Sequence, residues 1–200
     1  TGQQNNASGF CHTDAGCFED KVIFAGFGGQ GLMTIGQLLA YAGLEEDKNV
    51  SWMPSYGPEQ RGGTANCHVI VSDDPIGSPV ITESTGAIIM NRPSLEKFES
   101  YLVADGILVI DSAMVDIKAS RKDVETIYVP AEDMAIDLGN PKAANMIMLG
   151  AYVKRSGVVK MESLFDALKH VWGSTNKEKF VQPNIEIIKK GAELIGEPVK

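Results

Sequence analysis

Short apolar runs and helically spaced apolar positions alternate along this chain from Lys21 to Lys200, with no repeat, linker or low-complexity tract between them. Lys21 to Ala25 (Lys-Val-Ile-Phe-Ala) is a continuous apolar run closed by glycine, the pattern of a strand buried on both faces. From Gly31 to Gly43, the residues Leu32, Ile35, Leu39 and Ala42 recur at helical spacing. A strand, a glycine turn and a helix therefore follow one another. A second strand is predicted over about Asn49 to Met53. A third is predicted over Ala65 to Ser72, where β-branched residues precede the turn Asp73-Asp74-Pro75. Gly86 to Met90, Gly106 to Ile110 and Thr126 to Val129 add further strands, with a short helix over Pro93 to Leu102.

The last third reads as helical. Asn140-Pro141 has the form of an N-cap followed by proline at the first helical position. The helix it opens, Lys142 to Lys154, is apolar nearly all round and so predicted to be buried. Two amphipathic helices follow, about Met161 to His170 and Asn184 to Ile195. The expected fold is α/β and Rossmann-like, a mostly parallel sheet covered by helices, in a single domain over 21–200. Residues 1–20 lack apolar periodicity and read as a polar tail, either a disordered lead-in or a cloning remnant.

Composition narrows the function classes. A length of 200 residues suits one well-buried domain and is short for two. The formal charge of −8 opposes a nucleic-acid role, which needs a basic face. No apolar run reaches the roughly 20 residues that cross a bilayer. No charged-then-apolar leader is seen, and the cytoplasm is the expected location. Cys11, Cys17 and Cys67 form no CxxC pair, and only His12, His68 and His170 could join them. That set is too sparse for a structural zinc or an iron–sulfur cluster. No metal site is expected here, and any electron-transfer centre is expected on another chain.

Two glycine loops carry the candidate chemistry. In the first, Gly26-Phe27-Gly28-Gly29-Gln30-Gly31, glycine permits a tight turn and close approach to a ligand, and the following helix N-terminus favours an anion. A tight turn without ligand fits the residues equally well. A dinucleotide-binding domain would end its second strand in a ribose-binding acid. Glu45, Glu46 and Asp47 precede that strand instead and read as solvated turn residues. The second loop, Ser55-Tyr56-Gly57-Pro58-Glu59-Gln60-Arg61-Gly62-Gly63, stands at the strand's end. Arg61 can grip phosphate or carboxylate through two parallel hydrogen bonds, Glu59 can pair with it or face a partner, and Tyr56 suits an interface. A surface loop with a local ion pair is the plainer reading. Asn145, inside the most apolar helix, must find hydrogen-bond partners, and the backbone of a glycine loop is a candidate. His68 and Cys67 read as core residues, and Asp111 as a site candidate or a turn cap. Walker A, H-E-x-x-H and G-x-S-x-G motifs are absent.

Together the two loops, the following Thr64-Ala65-Asn66-Cys67 and Asn145-Met146 resemble the gamma subunit of the 2-oxoacid:ferredoxin oxidoreductases, over about Lys21 to Ile195. The 2-oxoglutarate and branched-chain oxoacid types are nearest. The resemblance implies a multisubunit enzyme that oxidatively decarboxylates a 2-oxoacid, transfers the acyl group to coenzyme A and passes electrons to ferredoxin. It implies alpha, beta and ferredoxin-like delta partners. Thiamine diphosphate and the iron–sulfur clusters lie on other subunits, no cofactor is bound by this chain alone, and the isolated chain is inactive. Gly26, Gly28, Gly29, Gln30, Gly31, Tyr56, Glu59, Arg61, Gly62, Gly63 and Asn145 are then the candidate residues of a composite coenzyme A site and interface, with no catalytic residue among them. The alternative is a stand-alone dinucleotide-binding oxidoreductase domain.

Overall fold

The computed structural model describes residues 18–56 and 64–195. Its centre is a six-stranded sheet in the order β2-β3-β1-β4-β5-β6, with β1 at Glu19–Phe27, β2 at Asn49–Tyr56, β3 at Thr64–Ser72, β4 at Ser84–Ile89, β5 at Leu102–Asp111 and β6 at Glu125–Val129. β1, β4, β5 and β6 pair in parallel, whereas β3 runs antiparallel to both β1 and β2. The sheet is mostly parallel, as its buried apolar runs require.

The alternation of buried residues along β1 divides the core in two. Val22 and Phe24 face the larger cluster, under α1 (Leu32–Glu45), α4 (Ala144–Ser156), α5 (Met161–Trp172) and α6 (Val181–Glu193). Ile23 and Ala25 face the smaller one, under α2 (Arg92–Phe98). A short helix, α3 (Ala131–Asp137), links β6 to α4. Among the described residues no helix is long and apolar enough to cross a membrane.

Several boundaries differ from the sequence expectation. β1 begins at Glu19 and includes Asp20, which is buried. β2 does not stop before Pro54 but runs on through Ser55 to Tyr56. Proline is tolerated there because β2 is the edge of the sheet. The segment from Pro93 to Leu102 is helical only to Tyr101, in α2 and one 3₁₀ turn, and Leu102 already belongs to β5. Asn140 does precede a proline-started helical turn, yet its side chain makes no capping bond, and the α-helix proper starts at Ala144.

Candidate functional site

β1 ends at Phe27, and the chain turns through Gly28 and Gly29 into α1. Gly29 (φ 97°) and Gly31 (φ 74°) both lie in the left-handed region. At Gly31 glycine is required twice over, since a Cβ there would also overlap the Asn145 amide nitrogen. Asn145 sits in the first turn of α4, 5% exposed, and its Nδ2 donates to the Gly31 carbonyl at 3.1 Å. Its Oδ1 accepts from the Met146 N–H at 2.9 Å. A buried amide in an apolar helix is thereby satisfied, and the loop is tied to a helix 114 residues away.

Gln30 holds the other side of the turn. Its Oε1 accepts from the Phe27 N–H at 2.6 Å, and its Nε2 donates to the Met90 carbonyl at 3.1 Å, just beyond β4. Its amide is thus engaged within the chain, while Gly26 lies buried within β1 and Gly28 and Gly29 are exposed. Among the described residues no side chain caps the α1 N-terminus.

The second loop begins where β2 ends. Glu59, Arg61, Gly62 and Gly63 lie outside the described residues, with Gly57, but the strand ends that bracket them do not. Tyr56 pairs with Ala65 at the end of the β2–β3 hairpin, and Thr64 pairs with Phe27 at the end of β1. Both stems therefore emerge at the rim from which the first glycine loop also leaves. β2 and β3, on either side of these seven residues, are antiparallel neighbours, so β2 is not followed by a helical crossover to a parallel strand.

Two depressions open on this rim, one on each side of the Gly31–Asn145 contact. The first, of about 270 Å³, is bounded by Gly29, Gln30, Met90, Met114, Glu132 and Lys142. The second, of about 350 Å³, lies between the α1 N-terminus, Lys142 and the α5–α6 connection, with Trp172, Lys177 and Phe180. Lys142 lines both. Gly29 and Gln30 were candidates from the sequence, whereas Met90, Met114, Glu132, Lys142, Trp172, Lys177 and Phe180 escaped the sequence reading, although Lys142 stands three positions before Asn145 on a proline-started turn.

Asp111, at the end of β5, is fully buried. Its Oδ1 accepts from the Ala113 and Ala131 N–H groups, each at 3.1 Å, so it caps a turn and the start of α3. Burial raises its carboxyl above the usual range against the pull of those bonds, and Oδ2 has no hydrogen-bond partner among the described residues. His68 is half-buried in β3, and desolvation, aided by the Lys97 charge, lowers its pKa. Among the described residues no group of His, Cys, Asp and Glu could hold a metal ion.

Cys67 is fully buried on the α1 side of β3, where its Sγ lies 3.4 Å from the Leu32 carbonyl oxygen. Burial pushes its thiol up to about 12. At pH 8 it is expected to resist maleimide in the folded chain and to react once urea is added, as read by peptide mass mapping. Rapid labelling of the Cys67 peptide without denaturant would contradict this environment.

The chain is similar to known proteins over nearly all of the described span. It is 37% identical over 177 residues to the ketoisovalerate oxidoreductase subunit VorA of Methanothermobacter marburgensis, a match that covers 88% of this chain but only 36% of VorA. It is 32% identical to the 2-oxoglutarate synthase subunit KorC of the same organism, covering 90% of this chain and 98% of KorC. Among solved structures, the gamma subunit of a keto/oxoacid ferredoxin oxidoreductase from Geobacter sulfurreducens superposes with a TM-score of 0.76. It is 30% identical, and the match covers 88% of this chain and 95% of that one. The family described as pyruvate ferredoxin/flavodoxin oxidoreductase matches residues 21–194, and the chain belongs to it, with the fold of its gamma subunits.

Proposed function

We propose that this chain serves as the gamma component of a multisubunit 2-oxoacid:ferredoxin oxidoreductase and gives its glycine-loop rim to a composite site. The observation that carries this reading is the strand register. Phe27 pairs with Thr64 and Tyr56 with Ala65, so the stems of both glycine loops stand at one rim. In the overall reaction a 2-oxoacid loses CO₂, two electrons pass to ferredoxin, and the acyl group forms a thioester with coenzyme A as the thiol proton leaves. Thiamine diphosphate and the clusters supply the decarboxylation and electron transfer from the alpha, beta and ferredoxin-like delta components. The names of the VorA and KorC relatives favour a branched-chain 2-oxoacid or 2-oxoglutarate.

This chain's own part is binding and orientation. The uncapped start of α1 presents backbone N–H groups, and Lys142 adds a cation, a combination suited to the phosphates of coenzyme A. Asn145 and Gln30 act by holding the loop. The stand-alone dinucleotide-binding alternative fares worse. In such folds the second strand lies directly beside the first. Here β3 lies between β1 and β2, which puts the end of β2 roughly 10 Å from β1, and Ser55 and Tyr56 stand where a carboxylate is needed.

Purification from the native source should yield this chain with partner chains identifiable by mass, and the isolated chain should lack oxidoreductase activity. An active lone chain with tight, stoichiometric dinucleotide would overturn the reading. Within the complex, Arg61→Ala is expected to weaken assembly or raise the KM for coenzyme A by an amount equal to about 1.5–3 kcal/mol, with the isolated fold intact. Unchanged assembly and kinetics would overturn a binding role for Arg61.

A further inference from the structure

The two edges of the sheet are not alike. β6 is five residues long and begins with Glu125, ion-paired to Arg155, and its Tyr128 hydroxyl accepts from the Ala119 N–H at 3.0 Å. Shortness, charge and an adjoining loop are common guards of an edge. β2 has eight residues, Asn-Val-Ser-Trp-Met-Pro-Ser-Tyr, and no charged side chain, in a chain that is 22% charged. Trp52 is 39% exposed, and among the described residues no strand pairs with the outer side of β2.

The register fixes which main-chain groups of β2 face out. The Met90 N–H donates to the Ala25 carbonyl at 2.8 Å, so Ala25 faces β4 and its neighbour Phe24 faces β3. Phe24 stands opposite Cys67, whose main chain therefore turns toward β1 and away from β2. Pro54, opposite Cys67 on β2, consequently faces away from the sheet, where its missing N–H costs no ladder bond. By strand alternation, Val50, Trp52 and Tyr56 turn outward with it. Their three N–H groups and, with Pro54, four carbonyls stand in one row along the edge.

We propose that β2 is a docking edge for an extended segment of another chain, which adds a seventh strand to the sheet and places a basic residue beside Glu45, Asp47 and Asp74. A row of main-chain donors and acceptors selects a strand. The basic residue follows from the acidic end of the edge. Glu45 and Asp47 precede β2 and Asp74 follows β3 at the same end, and all three are exposed with no ion-pair partner among the described residues. A second copy fits less well. Two copies would pair about a two-fold axis, which sets both Pro54 residues in one short ladder and brings together two chains of formal charge −8. This inference deepens the proposed function and rests on it only for the presence of partner chains.

Hydrogen exchange on the native complex and on the isolated full chain tests it. In the isolated chain the Val50, Trp52 and Tyr56 amides are expected to exchange fast and those of Ser51, Met53 and Ser55 slowly. In the complex the first set should slow at least roughly tenfold. Val50→Pro removes an outward N–H and no ladder bond. With circular dichroism unchanged, it should raise the chain concentration needed for assembly roughly tenfold over Val50→Ala. Glu45→Gln combined with Asp47→Asn should raise it too. An active complex in which the outward amides stay fast, or a proline effect no larger than that of alanine, would overturn the docking edge and leave the oxidoreductase reading standing. A dimer of the isolated chain that Val50→Pro dissolves would give the edge to a second copy and overturn the proposal. A chain that purifies without partners would overturn both readings.

Discussion

Gly150→Ala is expected to destabilise the fold by about 2 kcal/mol, against the direction that helix propensity alone predicts. Gly150 is buried in the middle of α4, where alanine is ordinarily worth roughly 1 kcal/mol over glycine. A Cβ at Gly150, however, would overlap the Ile188 carbonyl oxygen on α6. The contact is reciprocal, because a Cβ at Gly191 on α6 would overlap the Ile147 carbonyl oxygen on α4. The two helices meet backbone to backbone, and no flexible side-chain end can swing aside. Overpacking costs about 1–3 kcal/mol, and a rigid backbone neighbour places this site at the upper end, so repulsion outweighs propensity. Urea unfolding should show a lower midpoint with the same slope. A midpoint equal to or above that of the parent would mean that α6 can slide away at no cost. Phe180 and Asn184, next to and within α6, line the second depression, so a displaced helix should also change its shape.

Much of this fold was legible because its strands are buried on both faces. Val22 to Ala25, Ala87 to Ile89 and Leu108 to Ile110 are continuous apolar runs, and every one of these residues is fully buried in the sheet. The reversal of β3 was not drawn from the sequence, although a signal existed. Only residues 57–63 separate β2 from β3, whereas a parallel crossover needs a dozen or more. α3 was missed because seven residues carry too little periodicity, and only Ala131 and Ala135 are fully buried, with Met134 partly buried against the core. At the site, residue types were readable but pairings were not. Asn145 demanded a partner by burial alone, and only the fold brings Gly31 to it. Lys142 and Lys177 are 35 positions apart on separate elements and converge only once α4, α5 and α6 have packed.

Tyr152→Phe is expected to cost about 1.5–3 kcal/mol, and Asp20→Asn to gain stability at neutral pH. Asp20 is buried at the start of β1, and the Tyr152 hydroxyl donates to its two oxygens at 3.1 and 2.9 Å. The Thr85 hydroxyl donates to Oδ1 and itself accepts from the Lys21 N–H at 2.8 Å. Burial raises the Asp20 carboxyl, the bonds from Thr85 and Tyr152 and the Lys48 charge lower it, and burial wins. The folded state therefore holds this proton more tightly than the unfolded chain does. Asp20's contribution to stability is full below the ordinary carboxylate range and is lost as pH rises through the folded value. Asparagine does not titrate, so the advantage of Asp20→Asn should grow across that window and then level off. Urea midpoints from pH 3.5 to 8 would measure it, and a difference independent of pH would rule out a strained buried carboxylate. Removing the tyrosine hydroxyl should hurt less once position 20 is uncharged, a non-additivity that a double-mutant cycle reads directly. Asn145 and Tyr152 stand seven residues apart on α4, two turns along one face. One grips Gly31 at the rim and the other Asp20 at the opposite end of β1, so loss of the lower contact frees the helix that positions the upper one. Tyr152→Phe should therefore also speed amide exchange at Gly31 and Leu32, which a purely local loss at Asp20 would leave unchanged.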